Sequence, residues 1–433
     1  MSLLRKGLLA SGGHVFCLAL SMCVGILFSR QLGPAGMGQY ELLRSAALTV
    51  GALAAFGLGN ANIYFLNNRG VPPEAIVSNS VWIVGVLLAA LTAGLAAAVL
   101  STPDYFGQLP TPVVILFALG TAAHAGRLIL RPILTARLEV PKMVWVELIR
   151  QAIMLGGGLL LTLGGWLSTE WAVVLLACGF YGSLTLPLVF LRRFVQLRRR
   201  FDWALFGKVF VYGLKLGAAT VLFGLTQHLS VFLLRALRPD QFEEVGLYSR
   251  AVAICGLIMI VPFAIGPLLY ARWATISGEQ RTRQVELAAR MSTTYGLSCA
   301  VFVAVCGKYL IWLLYGAQFM PAQEALIILA PALVCLTLYN TCNQLLAGAG
   351  QAAITAGILA GSTVVVCVST WLLVPTLGIR GAALGVLCGN GFTTLVTVLV
   401  CRHLYGLDPR ACWVMKKRDL RYVWQALWQP PAS

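Results

Sequence analysis

Charged side chains are scarce in this sequence, where Asp, Glu, Lys and Arg together make up 11% of 433 residues. Soluble globular domains carry roughly 25% charged residues. Hydrophobic residues reach 59% here, and the mean hydropathy is +0.83. So few charges would not cover that much apolar surface in water, which excludes a soluble multi-domain protein. The composition predicts a chain whose solvent is lipid.

Acidic residues are scarcer still, with 15 Asp and Glu against 32 Lys and Arg and a formal net charge of +17. An excess of this kind indicates nucleic-acid binding when it covers one soluble surface. Here the basic residues lie mostly in short segments between apolar runs. In membrane proteins such segments stay on the cytoplasmic side and set the orientation. We therefore expect no nucleic-acid partner.

Motifs for metals, cofactors and enzymatic chemistry are also missing. The 12 cysteines include no Cys-x-x-Cys pair, and most lie inside apolar runs, where a thiol behaves as a small hydrophobe. The sequence has no Walker motif and no His-x-x-His pair. We predict a protein without enzymatic activity or cofactor, with coupling to H⁺ or Na⁺ left open.

Apolar runs long enough to cross a bilayer recur along the whole chain. A spanning helix needs roughly 20 mainly apolar residues. The first run lacks a small-residue cleavage site, which favours a retained helix over a signal peptide. We predict an all-α polytopic membrane protein of about twelve spans, near residues 8–29, 38–66, 77–100, 111–134, 143–166, 171–191, 207–234, 246–271, 286–314, 323–346, 352–374 and 381–403.

The basic residues between these spans predict the orientation. With the N-terminus in the cytoplasm, most Lys and Arg fall on the cytoplasmic side, as the positive-inside rule requires. The outer side keeps only Arg30, Arg235, Arg238, Arg250, Lys308 and Arg380. An even number of spans returns the chain to its starting side. We therefore expect a multi-pass protein of the bacterial inner membrane, surrounded by membrane lipids, with both termini cytoplasmic.

A basic segment divides the chain almost at its middle. We predict a six-helix bundle over 1–191, a cytoplasmic linker over 192–208, a second six-helix bundle over 209–403 and a basic cytoplasmic tail over 404–433. A weak internal echo supports two related halves, because Gly-Gln-Tyr at 38–40 corresponds to Gly-Leu-Tyr at 246–248. Transporters built from such repeats bind substrate at the repeat interface and rock about it.

Ionisable residues inside spans concentrate in the fourth and fifth. The fourth carries His124, Arg127 and Arg131 at spacings of three and four, which places them on one helical face. The fifth carries Glu147 and Arg150, which are neighbours three residues apart. Charges at membrane depth are costly and usually face a cavity. This part of the chain is therefore a candidate substrate path.

Three of the cations lie at a similar depth. At 1.5 Å per residue, Arg127 and Arg150 lie roughly 10 Å above the cytoplasmic ends of their spans, and Lys215 of the seventh span roughly 11–12 Å. Cations at one level on spans from both halves suit an anionic headgroup, because a diphosphate accepts paired hydrogen bonds from Arg and attracts Lys as a point charge. We predict that Arg127, Arg150 and Lys215 bind substrate.

A second set of charges lies nearer the outer end. Glu41 and Arg44 are three residues apart on the second span, and Arg30 lies above them. We predict that Arg44 and Arg30 form a second station for the substrate, and that Glu147, His124 and Glu41 are candidates for ion coupling. The alternative is that the Glu–Arg pairs are local ion pairs within a packed bundle and that the histidine is a packing residue.

Residues 27–40 contain an apolar helix followed by Arg30, Leu32-Gly33-Pro34, Gly38 and Tyr40. This pattern resembles the first-loop signature of bacterial polysaccharide flippases. Phe-Gly-Leu-Gly at 56–59 supports the likeness, and Leu-Leu-Val-Pro at 372–375 with residues 377–383 is similar to the family's junction between its eleventh and twelfth helices. With twelve spans and short loops, the resemblance covers nearly the whole chain.

The likeness is to the O-antigen and exopolysaccharide flippases of the multidrug/oligosaccharidyl-lipid/polysaccharide exporter superfamily. It implies transport of a polyprenyl-diphosphate-linked oligosaccharide to the outer leaflet by alternating access, with a polysaccharide polymerase and chain-length proteins as further partners. It does not align the cavity cations, which rest on their depth alone. Three alternatives stay open: a drug exporter of the same superfamily, a lipid II flippase and a non-transport assembly partner.

Overall fold

The computed structural model describes residues 3–137, 139–195, 201–276, 278–413 and 419. These residues form helices joined by short connections, with no strand among them. The α-helices are α1 Leu3–Ala55, α2 Leu58–Asn68, α3 Pro73–Ser101, α4 Pro103–Phe106, α5 Thr111–Ala136, α6 Val140–Leu163, α7 Thr169–Leu191, α8 Trp203–Leu237, α9 Phe242–Ile258, α10 Ile260–Thr275, α11 Gly278–Tyr315, α12 Ala322–Gly348, α13 Ala352–Leu377 and α14 Ile379–Tyr405.

The first helix turns back on itself at Gly33. Gly33 has φ 68° and ψ 178°, which are not helical, and Pro34 follows it. A straight helix would separate Phe28 and Tyr40 by roughly 18 Å along its axis, yet their ring centroids are 5.4 Å apart. We therefore describe α1 as a first arm, residues 3–32, and a second arm, residues 34–55.

The number of spans agrees with the prediction of about twelve. Ten described helical stretches are long and apolar enough to cross a membrane, and the pair α9 and α10, bent by 46°, adds an eleventh. One of the ten runs from Val15 to Asn68 over 54 residues. At roughly 1.5 Å per residue it would be far too long for one crossing, and its turn at Gly33 divides it into two. The all-α membrane fold is thus confirmed.

Two predicted spans are broken helices. The predicted 38–66 span is interrupted where Phe56 (φ 29°) and Gly57 (φ 73°) leave helical geometry. The predicted 246–271 span is interrupted at Met259, between α9 and α10. Hydropathy averaged over a window does not register a break of one or two residues. At Gly57 the break needs glycine, because a Cβ there would lie 2.6 Å from the Gly217 Cα and φ is left-handed.

Two connection sets define the ends of the molecule. The "linker end" holds the connections at 68–73, 136–140, 191–203, 275–278 and 348–352. The "far end" holds the turn at 33 and the connections at 101–111, 163–169, 237–242, 315–322 and 377–379. The predicted orientation places the linker end in the cytoplasm.

The helices group into two lobes. In the first, α5 packs on α3 and α7, and α6 packs on α7 and on the first arm of α1. In the second, α12 packs on α11 and α14, and α13 packs on α8 and α14. Helix α8 begins at Trp203, inside the predicted linker, because the Asp202 Oδ1 accepts a hydrogen bond from the Leu205 N–H at 2.9 Å and caps the helix. Linker residues 196–200 and tail residues 414–418 and 420–433 lie outside the described part, and the domain limits stay predictions.

The lobes approach most closely where the second arm of α1 crosses α9. A Cβ built on Gly38 would lie 2.9 Å from the Gly246 nitrogen, and one built on Gly246 would lie 3.0 Å from the Gly38 nitrogen. Close helix crossings in membranes use small residues for this reason. The two glycines occupy equivalent places in the internal echo, so the crossing is nearly symmetric.

We expect Gly38→Val or Gly246→Val to lower the free energy of unfolding by about 2 kcal/mol or more, since a side chain at either position overlaps backbone of the other lobe. Thermal melting of the detergent-purified protein measures the effect. Gly85→Val on α3 is the matched control, because no heavy atom lies within 4 Å of its Cβ position. Equal melting temperatures for Gly38→Val and Gly85→Val would contradict the crossing.

Candidate substrate cavity

A cavity of about 350 Å³ lies between the two lobes, and we call it the central cavity. Its walls come from both arms of α1, α6 and α7 in the first lobe, and from α9, α10 and α11 in the second. Arg44 on the second arm of α1, Arg150 on α6 and Arg250 on α9 line it, together with Tyr40 and Tyr315. No acidic residue is among its described lining residues. The wall chemistry is therefore cationic and aromatic.

Glu41 is shared by two arginines from opposite lobes. Its carboxylate is buried and accepts a hydrogen bond from the Arg44 Nε at 2.7 Å, one helical turn away. The other carboxylate oxygen contacts the Arg250 Nη2 of α9. The Arg250 guanidinium also lies 5.5 Å from the Tyr315 ring centroid. The cluster of Arg44, Glu41 and Arg250 therefore joins the lobes and leaves one uncompensated positive charge beside the cavity.

Glu147 is shared by three arginines. Its carboxylate contacts the Arg127 Nη1, lies 3.3 Å from the Arg131 Nε and lies 3.5 Å from the Arg150 Nη2. Arg127 and Arg131 come from α5, and Arg150 comes from the same helix as Glu147. One carboxylate thus balances one of three cations. His124 completes the cluster with its Nδ1 3.4 Å from the Arg127 Nη2.

Together these groups give the cavity region a strong positive charge. Five arginines share two carboxylates, which leaves three positive charges without a described counter-ion. The Nε atoms of Arg150 and Arg250 are buried and have no hydrogen-bond acceptor in the described structure. Uncompensated charges are expensive at membrane depth and are retained where they serve a function. The cavity is therefore suited to a multivalent anion.

Glu147→Gln should destabilise the first lobe strongly. It leaves Arg127, Arg131 and Arg150 without their common counter-ion, and removing one partner from a buried ion pair costs about 3–5 kcal/mol. Thermal melting of the purified protein tests this. Glu139→Gln is the control, because Glu139 also contacts three cations but lies at the linker end in a connection between helices. An equal fall in melting temperature for both variants would argue against a special role of Glu147.

The structure separates the cations that the sequence places at one depth. Arg150 lines the central cavity, whereas Arg127 is buried behind it against Glu147. Lys215 is exposed to a different cavity at the linker end. Helix depth fixes the height of a residue but not the direction of its side chain, which explains the difference.

The structure separates Arg30 from the Glu41–Arg44 pair, with which the sequence groups it. Arg44 lines the central cavity, and its role in binding substrate stays a prediction, while its partner Glu41 is paired with two arginines. Arg30 donates hydrogen bonds to the carbonyl oxygens of Leu313 (2.5 Å) and Leu314 (3.0 Å) of the other lobe. Arg30 therefore bridges the lobes at the far end and does not line the central cavity.

The proposed ion-coupling residues are all engaged with neighbours. Glu41 and Glu147 are paired with arginines, and the His124 ring lies 4.5 Å from the Phe180 ring, centroid to centroid. The described His, Cys, Asp and Glu residues form no group that could hold a metal ion. Coupling to H⁺ or Na⁺ through these residues stays a prediction.

Sequence reasoning missed Arg250, which it assigned to the outer side. The weak internal repeat between the two halves could have identified it. Glu41 follows Gly38 by three residues and Arg250 follows Gly246 by four, so both share the helical faces of the crossing glycines. Once the glycines are recognised as a crossing point, Glu41 and Arg250 must face each other.

No family model matches this chain, and no curated protein matches it. Solved structures do. An inward-facing multidrug resistance MATE family transporter of the MOP superfamily has a TM-score of 0.71 at 17% identity, over 89% of this chain and 94% of that chain. A MOP superfamily transporter from Pyrococcus furiosus, for which a reversed polarity of the binding pocket is said to suggest a different function, has a TM-score of 0.67 at 16% identity, over 93% and 95%.

A variant of a MATE transporter from Vibrio cholerae has a TM-score of 0.63 at 14% identity, over 94% of this chain and 98% of that chain. These similar structures are transporters and not enzymes. At such identities the likeness concerns the fold. The flippase branch indicated by residues 27–40 has no counterpart among these structures. Their descriptions favour the drug-exporter alternative. The chain is a multi-pass membrane protein with the two-lobe fold of MOP superfamily transporters.

Proposed function

We propose that this protein transports a phosphate-bearing anion, and that its cargo is a polyprenyl-diphosphate-linked oligosaccharide moved to the outer leaflet by alternating access. The observation that carries the proposal is the excess of three positive charges around the central cavity. Arginine suits this cargo because its planar fork donates paired hydrogen bonds to phosphate oxygens.

The arrangement of the lobes fits a closed far end. Four contacts join the lobes there: the Glu41–Arg250 pair, Arg30 on the carbonyls of Leu313 and Leu314, the Tyr105 hydroxyl donating to the Phe232 carbonyl at 2.9 Å, and the Arg235 Nε donating to the Tyr105 carbonyl at 2.7 Å. Release on that side requires these contacts to break. Transport would thus alternate between this state and one in which the far end is open.

The lipid-linked cargo rests on the resemblance at residues 27–40 and on the charge of the cavity. The polyprenyl chain would remain in the bilayer while the diphosphate and sugars cross between the lobes. A polysaccharide polymerase and chain-length proteins are the partners that this role implies. Lipid II, which carries a similar diphosphate, is a cargo of the same chemical class.

A multidrug exporter is the second candidate, favoured by the descriptions of the similar structures. Cationic drugs are bound by carboxylates, and both carboxylates beside this cavity are already held by arginines. The Pyrococcus furiosus transporter indicates that one fold serves pockets of opposite polarity. The positive charge of the cavity therefore favours an anionic cargo, although the fold is shared with drug exporters.

The test is a flipping assay in proteoliposomes. A fluorescent polyprenyl-diphosphate disaccharide is incorporated into the vesicles, and an added reductant quenches the fraction that reaches the outer leaflet. Ethidium uptake is measured on the same vesicles. We expect protein-dependent flipping and no protein-dependent ethidium movement. Ethidium transport without flipping would establish the drug-exporter function instead.

A further inference from the structure

A second cavity, of about 980 Å³, lies at the linker end between α2 and α8, and we call it the linker-end pocket. Arg69 at the end of α2 and Lys208 and Lys215 on α8 line it, with Tyr64 and Tyr212. Lys208 and Lys215 are seven residues apart, which is two helical turns on one face. The pocket thus collects three cations from two lobes.

These cations are not neutralised within the described structure, where none of them forms an ion pair. The single acidic residue among the described lining residues is Asp202. Its Oδ1 caps α8, and its backbone N–H and carbonyl bind the Asn79 side chain at 3.0 and 2.9 Å. Asp202 therefore belongs to the helix start, and the pocket keeps an excess of two positive charges.

An aromatic pair forms part of the pocket wall and joins the lobes. The Tyr64 and Tyr212 rings are stacked with centroids 4.1 Å apart and planes at 19°. The Arg69 guanidinium lies 5.9 Å from the Tyr64 centroid. Cations without an ion-pair partner beside half-buried tyrosine rings suit a ligand that carries both phosphate and apolar surface. The expected cytoplasmic position of the linker end also places the pocket on the side of the leaflet that carries anionic headgroups.

We propose that the linker-end pocket is a separate binding site for a phosphate-bearing headgroup, occupied before the central cavity. Lys215 belongs to this site with Arg69 and Lys208, apart from Arg150 and Arg44. The order of occupation rests on the proposed function, because it assumes a cargo that enters from the linker end. The binding chemistry itself rests only on the pocket.

The test uses the full-length protein in phosphatidylcholine nanodiscs, titrated calorimetrically with inorganic diphosphate. The pocket variant is Arg69→Gln with Lys208→Gln and Lys215→Gln. The cavity variant is Arg44→Gln with Arg150→Gln. A charge-matched control changes three exposed arginines outside both sites, Arg192→Gln, Arg402→Gln and Arg410→Gln. Lys215→Gln alone, at an exposed side chain, serves if the triple variant misfolds.

We expect two binding events in the wild type and in the control. The pocket variant should lose one event or bind it at least about tenfold more weakly, and Lys215→Gln should weaken the same event. Diphosphate binding by the pocket variant equal to that of the control would overturn the proposal. If the pocket variant loses its event while the cavity variant binds diphosphate as wild type does, the proposed function fails and the pocket proposal stands.

A second titration, in nanodiscs that contain phosphatidylglycerol, identifies the source of the headgroup. If bilayer lipid occupies the pocket, its diphosphate event should weaken by about tenfold in these nanodiscs while the cavity event is unchanged. An unchanged pocket event identifies a ligand other than bulk lipid, in line with a diphosphate-linked cargo. Both outcomes support a phosphate-binding pocket, and loss of both events in every nanodisc would contradict it.

Discussion

Arg44→Gln combined with Arg150→Gln is expected to lower flipping of a polyprenyl-diphosphate oligosaccharide by about 100-fold or more. Each arginine supplies charge-assisted hydrogen bonds worth about 1.5–3 kcal/mol, and 1.4 kcal/mol corresponds to a factor of ten. Both side chains line the central cavity and retain partial exposure to it, at 37% for Arg44 and 24% for Arg150. Their loss removes cationic donors without emptying a packed core.

The measurement is the initial flipping rate in proteoliposomes at equal protein density. Arg192→Gln with Arg402→Gln is the control, because both residues are exposed at the linker end and the same charge is removed. Thermal melting of all proteins separates loss of transport from loss of fold. A double variant that flips at the wild-type rate would remove the central cavity from the transport path.

Glu41→Gln is expected to open the far end. The substitution leaves Arg44 and Arg250 without their shared counter-ion, and the two guanidinium groups, one from each lobe, then repel each other across the interface. The closed arrangement loses its buried ionic contact, whereas an open arrangement exposes both arginines to water. The equilibrium between the two states should therefore shift toward the open one.

Hydrogen–deuterium exchange measures this shift at the far-end connection 237–242, where exchange should accelerate by about tenfold or more for a shift of about 1.4 kcal/mol. Glu324→Gln is the control, because the Glu324–Arg380 pair also lies at the far end but within one lobe. Inorganic diphosphate should accelerate exchange in wild type by competing for Arg250, and not further in Glu41→Gln. Wild-type exchange in Glu41→Gln would show that this ion pair does not hold the lobes together.

The fold could be predicted because the insertion of a segment into a membrane depends mainly on its amino-acid composition. Apolar runs of spanning length and the distribution of Lys and Arg are properties of local sequence, so the number of spans followed directly. The turn at Gly33 was also accessible, since Gly-Pro separates two apolar runs there. The breaks at Gly57 and Met259 were not accessible from the sequence. The break at Gly57 depends on α8 packed against that point, as the Gly57–Gly217 contact shows.

The cationic character of the cavity could be predicted from the sequence, whereas its geometry could not. The unbalanced cations at membrane depth pointed to an anionic ligand, but a linear sequence does not say which side chains share a wall. Arg127 and Arg150 have similar depth, yet Glu147 draws one behind the cavity and leaves the other lining it. Arg250 was missed because its partner Glu41 lies 209 residues away in the chain, in the other lobe.

The cargo is the central claim, and lipid analysis of host membranes after depletion of this protein tests it most directly. We expect a polyprenyl-diphosphate oligosaccharide to accumulate in the cytoplasmic leaflet while surface polysaccharide falls, with the mass of the lipid identifying the repeat unit. Unchanged lipid-linked oligosaccharides together with new sensitivity to cationic compounds would contradict the account and establish drug export.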